Sequence, residues 1–527
     1  MGLKNLSKMI QNAKKCHLFF LDDDPRANID ATDNLRNMIN IAYPGKENVT
    51  IYCLARNNSI SSLLDTPLHS KIPGEKEKLD NIKVKILDLS VMAAQSLFMD
   101  YNNHPINFVD CDPTTATVKT PFESMVIGFG RGGRDIVQYL YEFGAFLDYN
   151  SVKSEGREED KDLIPLRSRF QCTILDKDIT MIEPRFMAKI PAVKAARNHD
   201  KNDPLLCFER AALNSKEFVS LVNEKLNNRD MNFVVISMGN DKTNMSAMTY
   251  VINQAMKVRE GDLGKLRIFV RNYSPDYEST MSDQAEHFNH LLGGENNKII
   301  NIFGNRSTLL TYKMVVDEQI ISTAKAFHHA YITLKGGTNN DWDTRHDLGR
   351  GIQPRENGGE PEYIGITWNE QNRVMRQETQ DIRNGLHVGT KLRLIGINYD
   401  NDKPLDEKQA ELVRQLRDAI SFPDNPCSFT VSDLEGMNVP LLYRNLARNE
   451  HIRWNASHEM LGYTGAKPRT LKSCDETAKV HPRLIDWNQL DEVSDYKNEN
   501  NPDHQINYKV KDYLAVLSSF EMALKQV

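Results

Sequence analysis

The chain has 527 residues, 40% of them hydrophobic and 26% charged, with a formal net charge of −6. That length exceeds what one hydrophobic core fills, so several domains are expected. The acidic balance gives no electrostatic case for nucleic acid, no apolar run reaches the roughly 18 residues of a spanning helix, and the first residues lack a secretory leader. A cytoplasmic protein is the expectation.

The seven cysteines are Cys16, Cys53, Cys111, Cys172, Cys207, Cys427 and Cys474. None is spaced as a metal knuckle, and several sit in apolar runs such as FQCTIL. They read as small buried hydrophobes, and no metal site is expected.

Residues 16–57, CHLFFLDDDPRANIDATDNLRNMINIAYPGKENVTIYCLARN, predict strand, acidic turn, helix, polar loop and strand. Residues 232–272, NFVVISMGNDKTNMSAMTYVINQAMKVREGDLGKLRIFVRN, repeat that order. Asn28 precedes Arg56 much as Asn244 precedes Arg271. The match continues in NIKVKILDLSVMAAQSLFMD (81–100) and NKIINIFGNRSTLLTYKMVVD (297–317), each a strand leading into a helix. So long a period indicates a duplicated domain. Short apolar strands alternating with helices predict βαβ units, a parallel sheet and helices on both faces.

Only the second copy carries a front half. SMVIGFGRGGRDIVQYLYEFG (124–144) predicts a strand, a glycine-rich turn and a helix start. Gly128, Gly130 and Gly133 fit G-x-G-x-x-G, and Phe129, Arg131 and Gly132 complete the turn. The first glycine permits the tight bend, the second lets backbone approach a pyrophosphate, and the third lets helix pack on strand. The free N–H groups and positive dipole end of the helix favour phosphate. FQCTILDKD (170–178) follows as a strand ending at Asp176 and Lys177, where a carboxylate suits ribose hydroxyls and disfavours a 2′-phosphate. Between them SVKSEGREEDKD (151–162) reads as a solvated loop. The first copy lacks the glycine turn. It is expected to bind nothing in this manner and to pack on the second as a pseudo-dimer.

These motifs, VIGFGRGGRDIV, ILDKD and VVISMGNDKTN, resemble the TrkA-type nucleotide-binding domain, also called the regulator of potassium conductance. The family's pattern falls on Gly128, Gly130, Arg131, Gly133, Asp176, Asp178, Asp241 and Asn244. The resemblance covers about 120–330, and 16–110 as the half copy. It implies binding of NAD(H) or another adenine nucleotide, control of ion transport, and assembly into homo-oligomers.

Residues 333–362 are rich in Gly, Asn and charge and predict a linker or exposed loop. Residues 368–396 predict a helix with a basic bias from Arg373, Arg376, Arg383, Lys391 and Arg393. It reads either as a solvated face beside a domain seam or as an anion-binding element. His387 reads as structural.

LARNEHIRWNASHEMLGYTGAK (446–467) predicts a helix bearing Asn449, Glu450, Arg453 and Trp454, followed by HPRLIDWNQLDE (481–492) and a last helix. Trp454, Tyr463 and Trp487, with Arg453, Arg469 and Arg483 nearby, suit a stacked anionic ligand or a partner peptide. The same aromatics also suit the core of a small helical domain. This segment resembles the ryanodine receptor repeat domain through Leu446, Ala447, Asn449, His451, Trp454, Gly462, Tyr463, Pro482, Leu484, Ile485, Trp487 and Leu490. The pocket expected from it comprises Asn449, Arg453, Trp454, Tyr463 and Trp487.

The expected architecture is α/β: a partial Rossmann-like copy (1–115), a full copy (116–332), a linker and helical middle segment (333–435), and a small, mainly helical domain (436–527). The expected function is nucleotide sensing without catalysis. Its partners would be a nucleotide and a membrane transporter or channel subunit, or a nucleotide-signalling or defence system. The alternative, an NAD-dependent oxidoreductase, needs a proton donor that no spacing identifies.

Overall fold

The computed structural model describes residues 9–43, 48–56, 82–153, 167–198, 202–292, 298–335, 352–353, 362–363, 368–400, 403–419, 422, 430–501 and 505–525. Cys427, most of the loop expected at 151–162 and most of the linker expected at 333–362 lie outside them. The chain forms two compact units, Met1–Met92 with Leu348–Thr367, and Ala93–Asp347 with Trp368–Val527. Among the described residues no helix is long and apolar enough to cross a membrane.

The first unit holds a three-stranded parallel sheet of β1 (Cys16–Phe20), β2 (Val49–Leu54) and β3 (Ile82–Leu87), in that order. Helix α1 (Pro25–Ala42) connects β1 to β2, starting at Asp24, whose carboxylate accepts the Arg26 N–H at 2.9 Å. Leu35 and Ile39 of α1 pack with Ile51 of β2 and Ile82 of β3. Helix α2 (Leu89–Met99) follows β3.

The second unit is built on six parallel strands: β4 (Phe122–Ile127), β5 (Phe170–Asp176), β6 (Leu206–Arg210), β7 (Met231–Ile236), β8 (Arg267–Arg271) and β9 (Ile300–Phe303). Their spatial order is β9-β8-β7-β4-β5-β6, every neighbouring pair parallel. In chain order that is 3-2-1-4-5-6, consistent with a Rossmann-like doubly wound sheet. Strands β4 and β7 are buried along their whole length, as parallel strands covered on both faces must be. The order reverses between β4 and β7, the place where a sheet of this topology characteristically opens a crevice beyond the carboxyl ends of its strands. Helix α3 (Arg131–Phe143) follows β4, and α4 (Asp241–Val258) follows β7.

The duplication is visible bond by bond. In the first unit Asn28 accepts the Asp22 N–H at 2.9 Å and donates to the Leu54 carbonyl at 2.8 Å. In the second, Asn244 accepts the Met238 N–H at 2.8 Å and donates to the Arg271 carbonyl at 2.7 Å. Each buried amide thus ties the end of one strand to the end of the next. The copies diverge after the third strand, where α2 is replaced by two short helices, Arg306–Leu309 and Tyr312–Val315. Asn244→Ala is expected to cost about 2–4 kcal/mol, because it strands two backbone groups. Urea unfolding of the second unit measures this, and an unchanged midpoint would refute the clamp.

The segment expected as a separate C-terminal domain belongs to the second unit. Helices α5 (Gln319–Leu334), α6 (Trp368–Leu386), α7 (Val388–Arg393), α8 (Leu441–Met460) and α9 (Tyr508–Leu524) pack on one another, and α8 packs on α3. Residues 93–115, expected in the first copy, also join this unit. Phe98 stacks near Tyr139 and Phe143, and His104 bonds Thr390 at 2.7 Å. The repeat and the resemblances on which those boundaries rest do not show this, because the side chains that make the join come from segments far apart in sequence.

Candidate functional site

At the end of β4 the chain turns through Gly128, whose φ of 95° suits glycine. A side chain there would meet the Ser237 carbonyl oxygen at 2.4 Å, because β7 ends alongside. Gly133 is locked differently: a Cβ would stand 2.0 Å from the Gly128 oxygen, so its absence lets α3 sit on the strand. A Cβ on Gly132 would lie 2.7 Å from the Ser237 hydroxyl. Gly130 stands apart, since a Cβ on it would meet nothing within 4 Å. Gly130 is also the N-cap of α3, and no side chain caps that helix. No side-chain cap competes there, and the positive end of the helix dipole favours an anion. Across the crevice the loop after β7 contains Gly239, also with nothing within 4 Å.

Asp176 ends β5 beside this turn. One carboxylate oxygen accepts the Phe129 N–H at 2.7 Å and the other the Asp178 N–H at 2.8 Å. The carboxylate thus fixes the glycine turn, and each oxygen keeps a lone pair for a further donor. The Phe129 ring is buried against Phe186 and Phe208, so only its backbone borders the turn. Arg131 is half-buried at the helix start, and Lys177 is exposed, 3.9 Å from Asp178. Asp241 and Asn244 are buried in the first turn of α4. The Asp241 carboxylate is buried and accepts the Tyr273 and Ser274 N–H groups at 2.8 and 2.9 Å, and Asn244 makes the strand clamp. Their polar atoms serve the backbone, which a motif alone does not reveal.

Helix α8 has two working faces. Asn445, Asn449 and Arg453, four residues apart, share one face and look toward the α/β half. Asn445 and Asn449 donate to the Thr115 and Ala116 carbonyls, both at 2.8 Å, and Asn449 accepts the Leu147 N–H at 2.8 Å. Arg453 is fully buried, grips Glu450 through two bonds of 3.0 and 2.7 Å, and also bonds Glu142 of α3. Arg383 of α6 donates to Glu142 at 2.5 Å, and Lys391 of α7 reaches Glu450 at 3.0 Å. Three cations therefore share two carboxylates in a buried cluster. Burial pushes the Glu450 carboxyl up, but Arg453 and Lys391 outweigh it and hold it below its ordinary value. Burial lowers the Lys391 ammonium against the pull of Glu450. The basic bias of 368–396 is thus mostly internal. Arg376 too pairs with a carboxylate, Glu476, at 2.6 Å.

The other face of α8 carries His451, Trp454 and His458. The partly buried Trp454 ring meets His458 at 3.7 Å and His481 at 4.9 Å between centroids. The Arg483 guanidinium lies over Trp454 at 5.1 Å and over Tyr508 at 4.9 Å. Tyr463 is buried beside His458 and donates to Glu476 at 2.5 Å. Trp487 is core, against His451 and Tyr513. The structure therefore gathers Trp454 and Tyr463, places Trp487 behind them, and turns Asn449 and Arg453 to the opposite face. Arg469 is elsewhere, paired with Glu499. The sequence marks Arg376 only as part of a basic helix, and it does not single out His481 and Glu476. The three- and seven-residue spacing of His451, Trp454 and His458 is the signal that marks their shared face.

No protein-family model, curated protein or solved structure matches this chain.

Proposed function

We propose that the chain is a nucleotide-sensing regulatory protein whose crevice between β4 and β7 takes an adenine nucleotide such as NAD(H). The observation that carries this reading is the contrast among the turn glycines. Gly128, Gly132 and Gly133 are hemmed in by neighbouring atoms, whereas Gly130 borders open space at an uncapped helix start. Packing demands three of them, and the open space at the fourth leaves room for a ligand's approach. The N–H groups of Gly130–Gly133 would hold phosphate, and the remaining lone pairs of Asp176 would accept ribose hydroxyls. The partly buried Trp454 ring beside Arg483 suits a second ligand or partner with an anionic group and a flat face. A role in ion-transport control or nucleotide signalling fits such a two-site protein.

Gly130→Asp tests the crevice. The new side chain has room, so the thermal midpoint should hold, while a carboxylate against phosphate should weaken nucleotide binding by about a hundredfold or more. Calorimetry with NAD, ADP and ATP reads the result. Equal affinity in the variant would remove the site.

A further inference from the structure

Helix α3 connects the crevice to the C-terminal helices. Its first turn is the uncapped start at Gly130, and its last turn carries Glu142. That carboxylate is fully buried and shared between Arg383 of α6 and Arg453 of α8. Gln138 and Tyr139, on the same stretch of α3, also face Arg383, at 3.2 Å and under its guanidinium at 5.0 Å. A helix of this length moves as a rod, so a displacement at one end is felt at the other.

The cluster it reaches has more than one way to pair. Arg383, Lys391 and Arg453 compete for Glu142 and Glu450. Around them the Gln380 Oε1, Arg383 Nε and Asn384 Oδ1 atoms and both His387 ring nitrogens are buried without a hydrogen-bond partner. A polar layer so incompletely satisfied does not single out one arrangement, as a fully bonded network does.

We propose that this buried layer of Glu142, Arg383, Arg453, Glu450 and Lys391 is the relay through which crevice occupancy sets the arrangement of α6 and α8. The relay rests on the crevice reading above. A nucleotide phosphate drawn onto the start of α3 shifts the helix along its axis, and Glu142 redistributes between its two arginines. Arg453 and Trp454 are consecutive on α8, so the change reaches the aromatic face directly. By linkage, whatever binds beside Trp454 changes nucleotide affinity by the same factor.

Hydrogen–deuterium exchange on the full chain, with and without NAD, ADP or ATP, tests this. In the wild type, nucleotide is expected to change exchange in residues 441–460 by about fivefold or more. Arg453→Met cuts the link from α3 to α8 yet leaves Glu142 with Arg383 and Glu450 with Lys391, a balanced set. It should bind nucleotide within about threefold of wild type and lose the response in 441–460. Arg383→Met, balanced in the same way, should lose the response in 368–393 instead and serves if the first variant does not fold. Binding without any response in wild-type 441–460 overturns the relay and leaves the crevice intact. An undiminished response in Arg453→Met also overturns it, because the Tyr141–Glu459 bond would then suffice. Failure of all three nucleotides to bind the wild type overturns both readings.

Discussion

Glu142→Ala is expected to destabilise the second unit by about 3–5 kcal/mol, while Lys391→Met leaves it within about 1 kcal/mol of wild type or more stable. Both residues are buried in the same cluster, and a count of side chains lost would rank lysine as the costlier change. Charge balance reverses that order. Removing Glu142 leaves Arg383, Arg453 and Lys391 with Glu450 alone. Removing Lys391 leaves two cations for two carboxylates and puts an apolar chain beside Phe327, over whose ring the ammonium lies at 5.4 Å. Taking charges out of water is costly, and only close pairing returns that cost. Urea unfolding of both variants checks the ranking. Equal losses would show that Lys391 is needed for reasons other than charge.

Acid should unfold the protein well before its carboxylates titrate as a group. His104, His387, His458 and His481 are buried, and burial lowers all four, His104 to about 4. Neighbouring cations add to this: Lys391 and Arg453 for His387, Arg376 and Arg483 for His458, and Arg483 and Arg376 for His481. In the unfolded chain each titrates near 6.5. Below that pH the unfolded state takes up protons that the folded state refuses, so stability falls as pH drops. The loss begins near 6.5 and for His104 levels off near 4. Each such histidine removes up to about 1.4 kcal/mol per pH unit, so the four remove roughly 5. Asp512 and Glu459, whose carboxyls burial raises, act in the opposite sense but are outnumbered. Thermal midpoints at pH 7.5, 6 and 5 are the measurement. A flat profile over that range would mean that the four rings are hydrated.

Much of the α/β half is legible in the residues. Runs such as FESMVI and MNFVVI announce fully buried parallel strands, and the repeated Asn marks a bond made twice. Gly128 and Gly133 carry their reasons with them, because tight turns and helix packing are local. The use of Asp241 and Asn244 is not legible, because a carboxylate or amide after a strand reads alike whether it faces a ligand or the next loop. The C-terminal half is less legible for a further reason. Arg383 and Glu142 are 241 positions apart, and Asn449 and Ala116 are 333 apart. Arg383, Glu142 and Asn449 each look in isolation like an ordinary exposed polar residue of a helix. Only the three-dimensional join shows that the basic helix is neutralised within the protein, or that one side of α8 is spoken for.

That side of α8 limits how this protein can be cut or recombined. A fragment beginning near residue 436 would present Asn445, Asn449 and Arg453 to water without the backbone carbonyls and carboxylate they grip. The last ninety or so residues are therefore no portable cassette. Moved onto another host protein, they would have to bring a counterpart of α3, with an acidic residue in its final turn, to keep their shape.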